Sequence, residues 1–366
     1  MALLFCDSFD HYGTADLYEK WTSRSTFNYA STIASGGRTG NCFYTNVAGI
    51  ATADRTTITP TRAANTASGV FGFALKIDVL GRVNNTANAL VSVCYGSDPQ
   101  FALRLNHDGT ITVSRTDSGN NYFLGTTNGP VITDNTWHYI ECKWLIHASA
   151  GSIEVRSNGT TKLSLSGIDT LSSRCAGAEW TSVQLLGADS NIAYSAESGG
   201  HQLWLDDFYL LDLTEGTYRH NDDFLGDVSI KYLAPTGDAS LQWDRSSGTA
   251  NFDMVKEDDP DDDATYVSTD VVDERDLYDF PSVSSGATIY GVQAVIAAKK
   301  GDSGTAQIAA VCKSDTVEEE HPVPLGIASD SAYTFFLFPW NGDPKDQTDW
   351  SESRLNAAQF GPKKTA

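Results

Sequence analysis

The residues best suited to chemistry in this sequence are carboxylates. Asp206 and Asp207 stand side by side in a largely apolar stretch, and Glu257-Asp258-Asp259-Pro260-Asp261-Asp262-Asp263 puts six carboxylates into seven residues. Oxygen-rich loops can hold Ca²⁺, which makes Asp206, Asp207, Asp261 and Asp263 the metal candidates. The run has neither the turn glycine nor the distal Glu of an EF-hand. A solvated, self-repelling loop is the simpler expectation, and no resident cofactor is expected. Successive strand residues point to opposite faces, so Asp206 and Asp207 should divide, one of them bonding inward.

Catalysis finds less support. Cleaving a glycosidic bond takes two carboxyl groups about 5–10 Å apart, and Glu141 and Glu154 fall singly on separate expected strands. No Gly-x-Ser-x-Gly elbow and no phosphate-binding glycine loop occurs. The cysteines Cys6, Cys42, Cys94, Cys142, Cys175 and Cys312 are scattered without a Cys-x-x-Cys pair, so free thiols are expected rather than a zinc or redox site. No catalytic residue is nominated, and the chain is expected not to be an enzyme. The aromatics Tyr333, Phe335, Phe336, Phe338 and Trp340 could stack on sugars, fill a core or meet a second subunit. Their alternation calls for a strand covered on both faces, and they are the interface candidates of a homo-oligomer.

Strands must position all of these residues. Period-2 apolar alternation bounded by Gly, Asn, Asp and Ser recurs along the chain, with almost no helical period. Val70 to Ile77 alternates, as do Phe101 to Leu105 and Thr110 to Val113 around Asp108-Gly109. Ser152 to Arg156 and Thr161 to Leu165 flank Asn158-Gly159, a pair that tolerates a tight hairpin turn. In Thr136 to Trp144 one face carries Ile140, Cys142 and Trp144. Helical turns are expected only near Asp16 to Trp21 and Glu352 to Ala358. Val228 to Leu233 reads as a strand, and Ile289 to Ala298 with Thr305 to Cys312 as a hairpin. The class is all-β.

With 366 residues, two domains are expected, divided at the polar segment Leu213 to Asp223 into 1–213 and 214–366. The net charge is −22. The first part holds 13 basic and 19 acidic residues, the second 12 and 28, so −6 against −16. This field repels phosphate backbones and anionic lipid surfaces, which argues against nucleic-acid and membrane partners. The start Met1-Ala2-Leu3-Leu4-Phe5-Cys6-Asp7 is too short for a signal sequence, and no stretch reaches the ~20 apolar residues of a membrane span.

Three segments carry a resemblance. Leu4-Phe5-Cys6-Asp7-Ser8-Phe9-Asp10, Trp137-His138-Tyr139-Ile140-Glu141 and Leu203-Trp204-Leu205-Asp206-Asp207-Phe208-Tyr209-Leu210 together resemble concanavalin-like and laminin-G jelly-rolls, in that family's order. The resemblance covers about residues 1–213. It implies a jelly-roll β-sandwich whose first and last strands pair, with a Ca²⁺ role for Asp206 or Asp207 as in some laminin-G domains. The closely spaced Glu and Asp residues of the family's hydrolytic branches are absent.

The second part, from Gly226-Asp227-Val228 through Leu233-Ala234-Pro235-Thr236-Gly237-Asp238 to Asp276-Leu277-Tyr278-Asp279-Phe280, resembles the C-terminal portion of tailed-bacteriophage structural proteins. It implies a smaller β-domain in a virion component such as a tail fibre, collar or head-decorating protein. Such a protein is made in the host cytoplasm, docks on other virion proteins and forms a homo-oligomer, with a trimer the first guess. The alternatives are a carbohydrate-binding adhesin that meets host-surface glycans, and a glycan-degrading enzyme.

Overall fold

The alternation of the first 212 residues becomes two antiparallel sheets that face each other over one apolar core. The computed structural model describes residues 2–25, 31–47, 55–60, 66–82, 88–117, 120–186, 201–213 and 220–366. In chain order the strands of this part are β1 (Ala2–Asp7), β2 (Ser23–Ser25), β3 (Thr32–Ser35), β4 (Asn41–Val47), β5 (Arg55–Ile58), β6 (Ser68–Ile77), β7 (Asn88–Tyr95), β8 (Asp98–Leu105), β9 (Ile111–Asp117), β10 (Asn120–Thr126), β11 (His138–Leu145), β12 (Gly151–Ser157), β13 (Thr160–Ile168), β14 (Ser182–Leu185) and β15 (His201–Asp212). One sheet runs β13-β12-β11-β6-β15-β4-β3, with β1 also paired to β15. The other runs β10-β9-β8-β7-β14-β5-β2. First and last strands therefore pair, and the architecture is the expected jelly-roll sandwich.

The core follows from the period-2 pattern. Phe71, Phe73, Leu75 and Ile77 of β6 and Ile140, Cys142 and Trp144 of β11 face Val91, Val93, Phe101, Leu103, Ile111, Val113 and Val183 of the opposite sheet. Trp144 sits edge-on to Trp180, with ring centroids 5.4 Å apart. Beside this core lies a buried polar knot. Asp7 accepts from Lys20 Nζ at 2.8 Å, Tyr12 OH at 2.6 Å and Trp21 Nε1 at 2.8 Å. Short helices form where the sequence places them, α1 at Leu17–Lys20 and α2 at Glu352–Leu355.

The second part holds β16 (Gly237–Ser240), β17 (Asp244–Arg245), β18 (Val267–Ser268), β19 (Leu277–Asp279), β20 (Val292–Ala298), β21 (Ala306–Ser314), β22 (Val317–Glu320), β23 (Leu325–Ile327), β24 (Thr334–Trp340) and β25 (Gln359–Lys364). A six-stranded sheet runs β16-β19-β25-β21-β22, with β23 also on β21; β17-β18 and β20-β24 are two-stranded ribbons. The expected hairpin between Ile289–Ala298 and Thr305–Cys312 does not form. β21 has β25 on one edge and β22 and β23 on the other. β20 pairs instead with the equally apolar β24, from Val292↔Trp340 to Ala298↔Thr334.

One further expectation changes. Val228–Leu233 is not a strand: residues 223–230 form an extended strap across the outer face of the eight-stranded sheet, where Leu225 and Val228 cover Tyr139, Tyr209 and Leu211. The boundary expected at Leu213–Asp223 falls largely on residues 214–219, which lie outside the described residues. Among the described residues no helix is long and apolar enough to cross a membrane. All six cysteines are free thiols, four of them buried.

Candidate functional site

The aromatic candidates are placed within the chain. Phe336, Phe338 and Trp340 are buried in the second core, with Phe338 at 0% exposure. Phe335 and Leu337, on the other face of β24, pack against the first core, where Phe335 lies 6.0 Å from the Tyr12 ring. The strand is thus covered on both faces by the chain's own two parts, which provide the cover otherwise expected of a neighbouring subunit. Tyr333, just before β24, donates from its hydroxyl to Asp263 at 3.2 Å.

The metal candidates separate into two unconnected places. Asp261 accepts from the backbone and hydroxyl of Thr265, each at 3.0 Å. Asp263 pairs with Lys299 at 2.6 Å, which holds its carboxyl below the usual range. Among the described residues no group of three His, Cys, Asp or Glu side chains is placed to hold a metal ion.

Asp206 and Asp207 depart from the strand rule that was to divide them. The register of β15 against β6 shifts between Asp206 and Tyr209, and Asp207 takes a left-handed φ of 49°. This bulge lets both carboxylates be fully buried. Asp206 accepts from the backbone of Arg38 and of Asp207, both at 2.7 Å. Asp207 accepts from Ile230 N at 2.7 Å and lies 3.2 Å from the Arg38 guanidinium. Burial, then the neighbouring Asp207 charge, pushes Asp206 up to about 8; burial pushes Asp207 up to about 6.

This cluster anchors the strap. Arg38 also pairs with Asp227 at 2.6 Å and donates to the Val228 carbonyl at 3.1 Å. Glu141 accepts from Tyr209 OH at 2.6 Å and Gly226 N at 2.8 Å, and burial raises its pKa. Glu154 instead pairs at the half-buried surface with Arg156 at 2.8 Å. The two glutamates fall on the adjacent strands β11 and β12, with Glu141 opposite Arg156 in register, so that this one guanidinium acts on both.

A further row of polar groups, which the sequence did not nominate, lies on the seven-stranded sheet. On the seven-stranded sheet the side chains opposite the core are short and polar. Register aligns Phe123↔Ser114, Ser114↔Ala102, Ala102↔Ser92, Ser92↔Gln184 and Gln184↔Thr57. One row thus crosses β10, β9, β8, β7, β14 and β5. It begins at Phe123, which is 59% exposed, passes through the buried Ser114, Ala102 and Ser92, and reaches the half-buried Gln184 and Thr57 at the other side.

Arg104, fully buried on the same face, ties into this row, donating to Ser114 Oγ at 2.6 Å and to Asn121 Oδ1 at 3.2 Å. Gln100 closes one end by donating to the carbonyls of Gly177 and Glu179, both at 2.8 Å. Hydroxyl, amide and aromatic groups in a line can hydrogen-bond and stack against a chain of polyhydroxylated rings. The one available signal was Arg104 in the alternation Phe101-Ala102-Leu103-Arg104-Leu105, a charge on the non-core face of an otherwise apolar strand.

No family model and no curated protein matches the chain, so the phage resemblance stands on its quoted residues alone. Solved structures similar to it include the endo-β-1,4-glucuronan lyase from the fungus Trichoderma reesei, at 10% identity over 60% of this chain and 97% of that one, with a TM-score of 0.40. Alginate lyase Aly36B matches at 12% identity over 56% of this chain and 92% of its own, with a TM-score of 0.39. The carbohydrate-binding module CBM66 from Bacillus subtilis matches at 6% identity over 52% and 98%, with a TM-score of 0.29. Because lyases stand among these structures, the expectation that the chain is not an enzyme is withdrawn. Likenesses this distant assign none of the lyases' chemistry to its residues.

Proposed function

We propose that the chain binds glycans through the outward face of the seven-stranded sheet. The observation that carries this reading is the row from Phe123 through Ser114, Ser92 and Gln184 to Thr57, aligned by the register of six neighbouring strands. The exposed Phe123 ring at one end supplies a stacking surface, and the half-buried Gln184 amide and Thr57 hydroxyl at the other supply orientation, while Ser114 and Ser92 between them are buried and shape the floor. The chain's net charge of −22 favours neutral over polyanionic glycans. In the virion setting suggested by residues 226–280, the ligand would be a host-surface glycan.

A glycan array with the full chain tests the reading. Binding should fall at least about tenfold, ~1.4 kcal/mol, in Phe123→Ala and in Gln184→Ala, with melting temperature unchanged. Binding that survives both substitutions, or an array without a hit, overturns it. Assay of the same glycans for chain cleavage tests separately whether binding leads to reaction.

A further inference from the structure

Three Asn-Gly pairs occur in the sequence, at Asn128-Gly129, Asn158-Gly159 and Asn341-Gly342. The pair carries a reaction of its own. With no Cβ, glycine leaves its backbone open to close approach, so its amide nitrogen can attack Cγ of the preceding asparagine. The new N–Cγ bond closes a cyclic imide as the side-chain nitrogen departs as ammonia, and water then opens the ring at either carbonyl. The products are aspartate, and isoaspartate in which the chain continues through the former side chain. In a folded chain the reaction waits on whether Cγ is free to reach that nitrogen.

The fold restrains two of these asparagines. Asn341 Oδ1 accepts from the Leu3 N–H and, at 2.8 Å, from Asn221 Nδ2. Asn158 Oδ1 accepts from Tyr139 N at 2.8 Å, and its Nδ2 lies 3.4 Å from His138 Nδ1. In both, turning Cγ toward the following nitrogen breaks hydrogen bonds. Asn128 differs. It is exposed, its side chain has no hydrogen bond among the described residues, and neither has the Gly129 N–H. No atom beyond the chain neighbours stands within 4 Å of the place a Gly129 Cβ would take. Gly159 is as open, so the asparagine side chain makes the difference.

We propose that Asn128 deamidates spontaneously in the folded protein, consuming water and releasing ammonia, whereas Asn158 and Asn341 are protected. Each event adds one negative charge to a chain already at −22. The modified turn is one that ties the two sheets together. Thr127 N donates to the Ile111 carbonyl of β9 at 2.9 Å, and Asn128 N to the Lys162 carbonyl of β13 at 2.8 Å. Thr127 Oγ1 adds a bond to the Gly129 carbonyl at 3.1 Å. Isoaspartate puts one more carbon into the main chain between residues 128 and 129, so this last bond loses its geometry first.

Prolonged incubation of the full chain at mildly alkaline pH, followed by proteolysis and mass spectrometry of the three Asn-Gly peptides, tests this directly. The expected result is conversion of Asn128 to aspartate and isoaspartate at least about tenfold faster than conversion of Asn158 or Asn341, whose hydrogen bonds must first break. The same chain unfolded in urea should react at all three sites without that preference. Asn128→Gln should abolish the first acidic form to appear on ion exchange. Reaction of Asn158 or Asn341 that keeps pace with Asn128 in the folded chain, or an Asn128 still intact when the unfolded chain has converted, overturns the proposal.

Discussion

The side-chain amide of Gln293 brackets the backbone of Cys6: its Oε1 accepts the Cys6 N–H at 3.1 Å, and its Nε2 donates to the Cys6 carbonyl at 2.9 Å. One side chain of β20 thus supplies what a neighbouring strand would give to the open edge of β1. Asn341 extends the same role by accepting the Leu3 N–H. The ribbon β20–β24 is thereby fastened to the strand that opens the sandwich.

Gln293→Ala removes both bonds and leaves two partly buried backbone groups without their partner. Its expected cost is about 1–3 kcal/mol. Hydrogen exchange of the Cys6 amide should accelerate together with the loss of melting temperature. Unchanged Cys6 exchange would mean that the edge of β1 is protected without the clamp.

The two core tryptophans should respond differently to loss of the indole N–H. Trp180 donates to the Ser68 carbonyl at 3.0 Å, whereas Trp144 Nε1 is buried without a partner. Trp180→Phe therefore loses a bond as well as volume, and should cost about 1 kcal/mol more than Trp144→Phe. Trp144→Ala, which empties the space between Phe71, Phe101 and Trp180, should cost about 3–5 kcal/mol. Chemical denaturation of the three variants provides the comparison.

Much of the sandwich was legible because its information is local. Asn158-Gly159 marks a hairpin by its tolerance of left-handed backbone, and β12 and β13 meet there. The alternation around Trp144 identifies which face of β11 enters the core. The hidden features are those that need register between distant strands. Nothing within Ile289–Ala298 says that its partner lies at Thr334–Trp340 rather than at the next apolar run. The row from Phe123 to Thr57 exists only once six strands are aligned. The period-2 rule would divide Asp206 from Asp207, but a register shift between β15 and β6 breaks it there, and that shift is visible only once the two strands are paired.

Lys20 and Asp7 form an ion pair whose side chains are both inaccessible to solvent. Lys20→Met leaves the carboxylate with Tyr12, Trp21 and the Phe9 N–H as donors but without its counter-charge. Breaking a buried pair from one side costs about 3–5 kcal/mol, and a drop of that size in unfolding free energy is expected. A loss below ~1 kcal/mol would show that the three remaining hydrogen bonds suffice to hold Asp7 ionised.

Stability should decline as the solution becomes alkaline, and Asp206 should be the main reason. Its carboxyl is raised from an ordinary 3.8 to about 8, and those of Asp207 and Asp16 to about 6. An acid whose pKa is higher in the folded than in the unfolded chain binds more protons when folded, so stability falls as pH rises through the interval between the two values. The contribution is fully present below about pH 4, and is lost progressively up to about pH 6 for Asp207 and Asp16 and about pH 8 for Asp206. Asp7 works in the opposite sense, because Lys20 holds its carboxyl low, and its contribution disappears only in acid. Below about pH 6.5 His11, pushed down to about 3 by burial, works against this fall, so the melting temperature should fall between about pH 6.5 and pH 9, by ~2–4 °C for each kcal/mol lost. Asp206→Asn has no charge to bury and should flatten the curve above about pH 6, whatever its melting temperature in acid. A wild-type curve that is level or rising from about pH 6.5 to pH 9, or an equally steep curve in Asp206→Asn, would place the titrating group elsewhere.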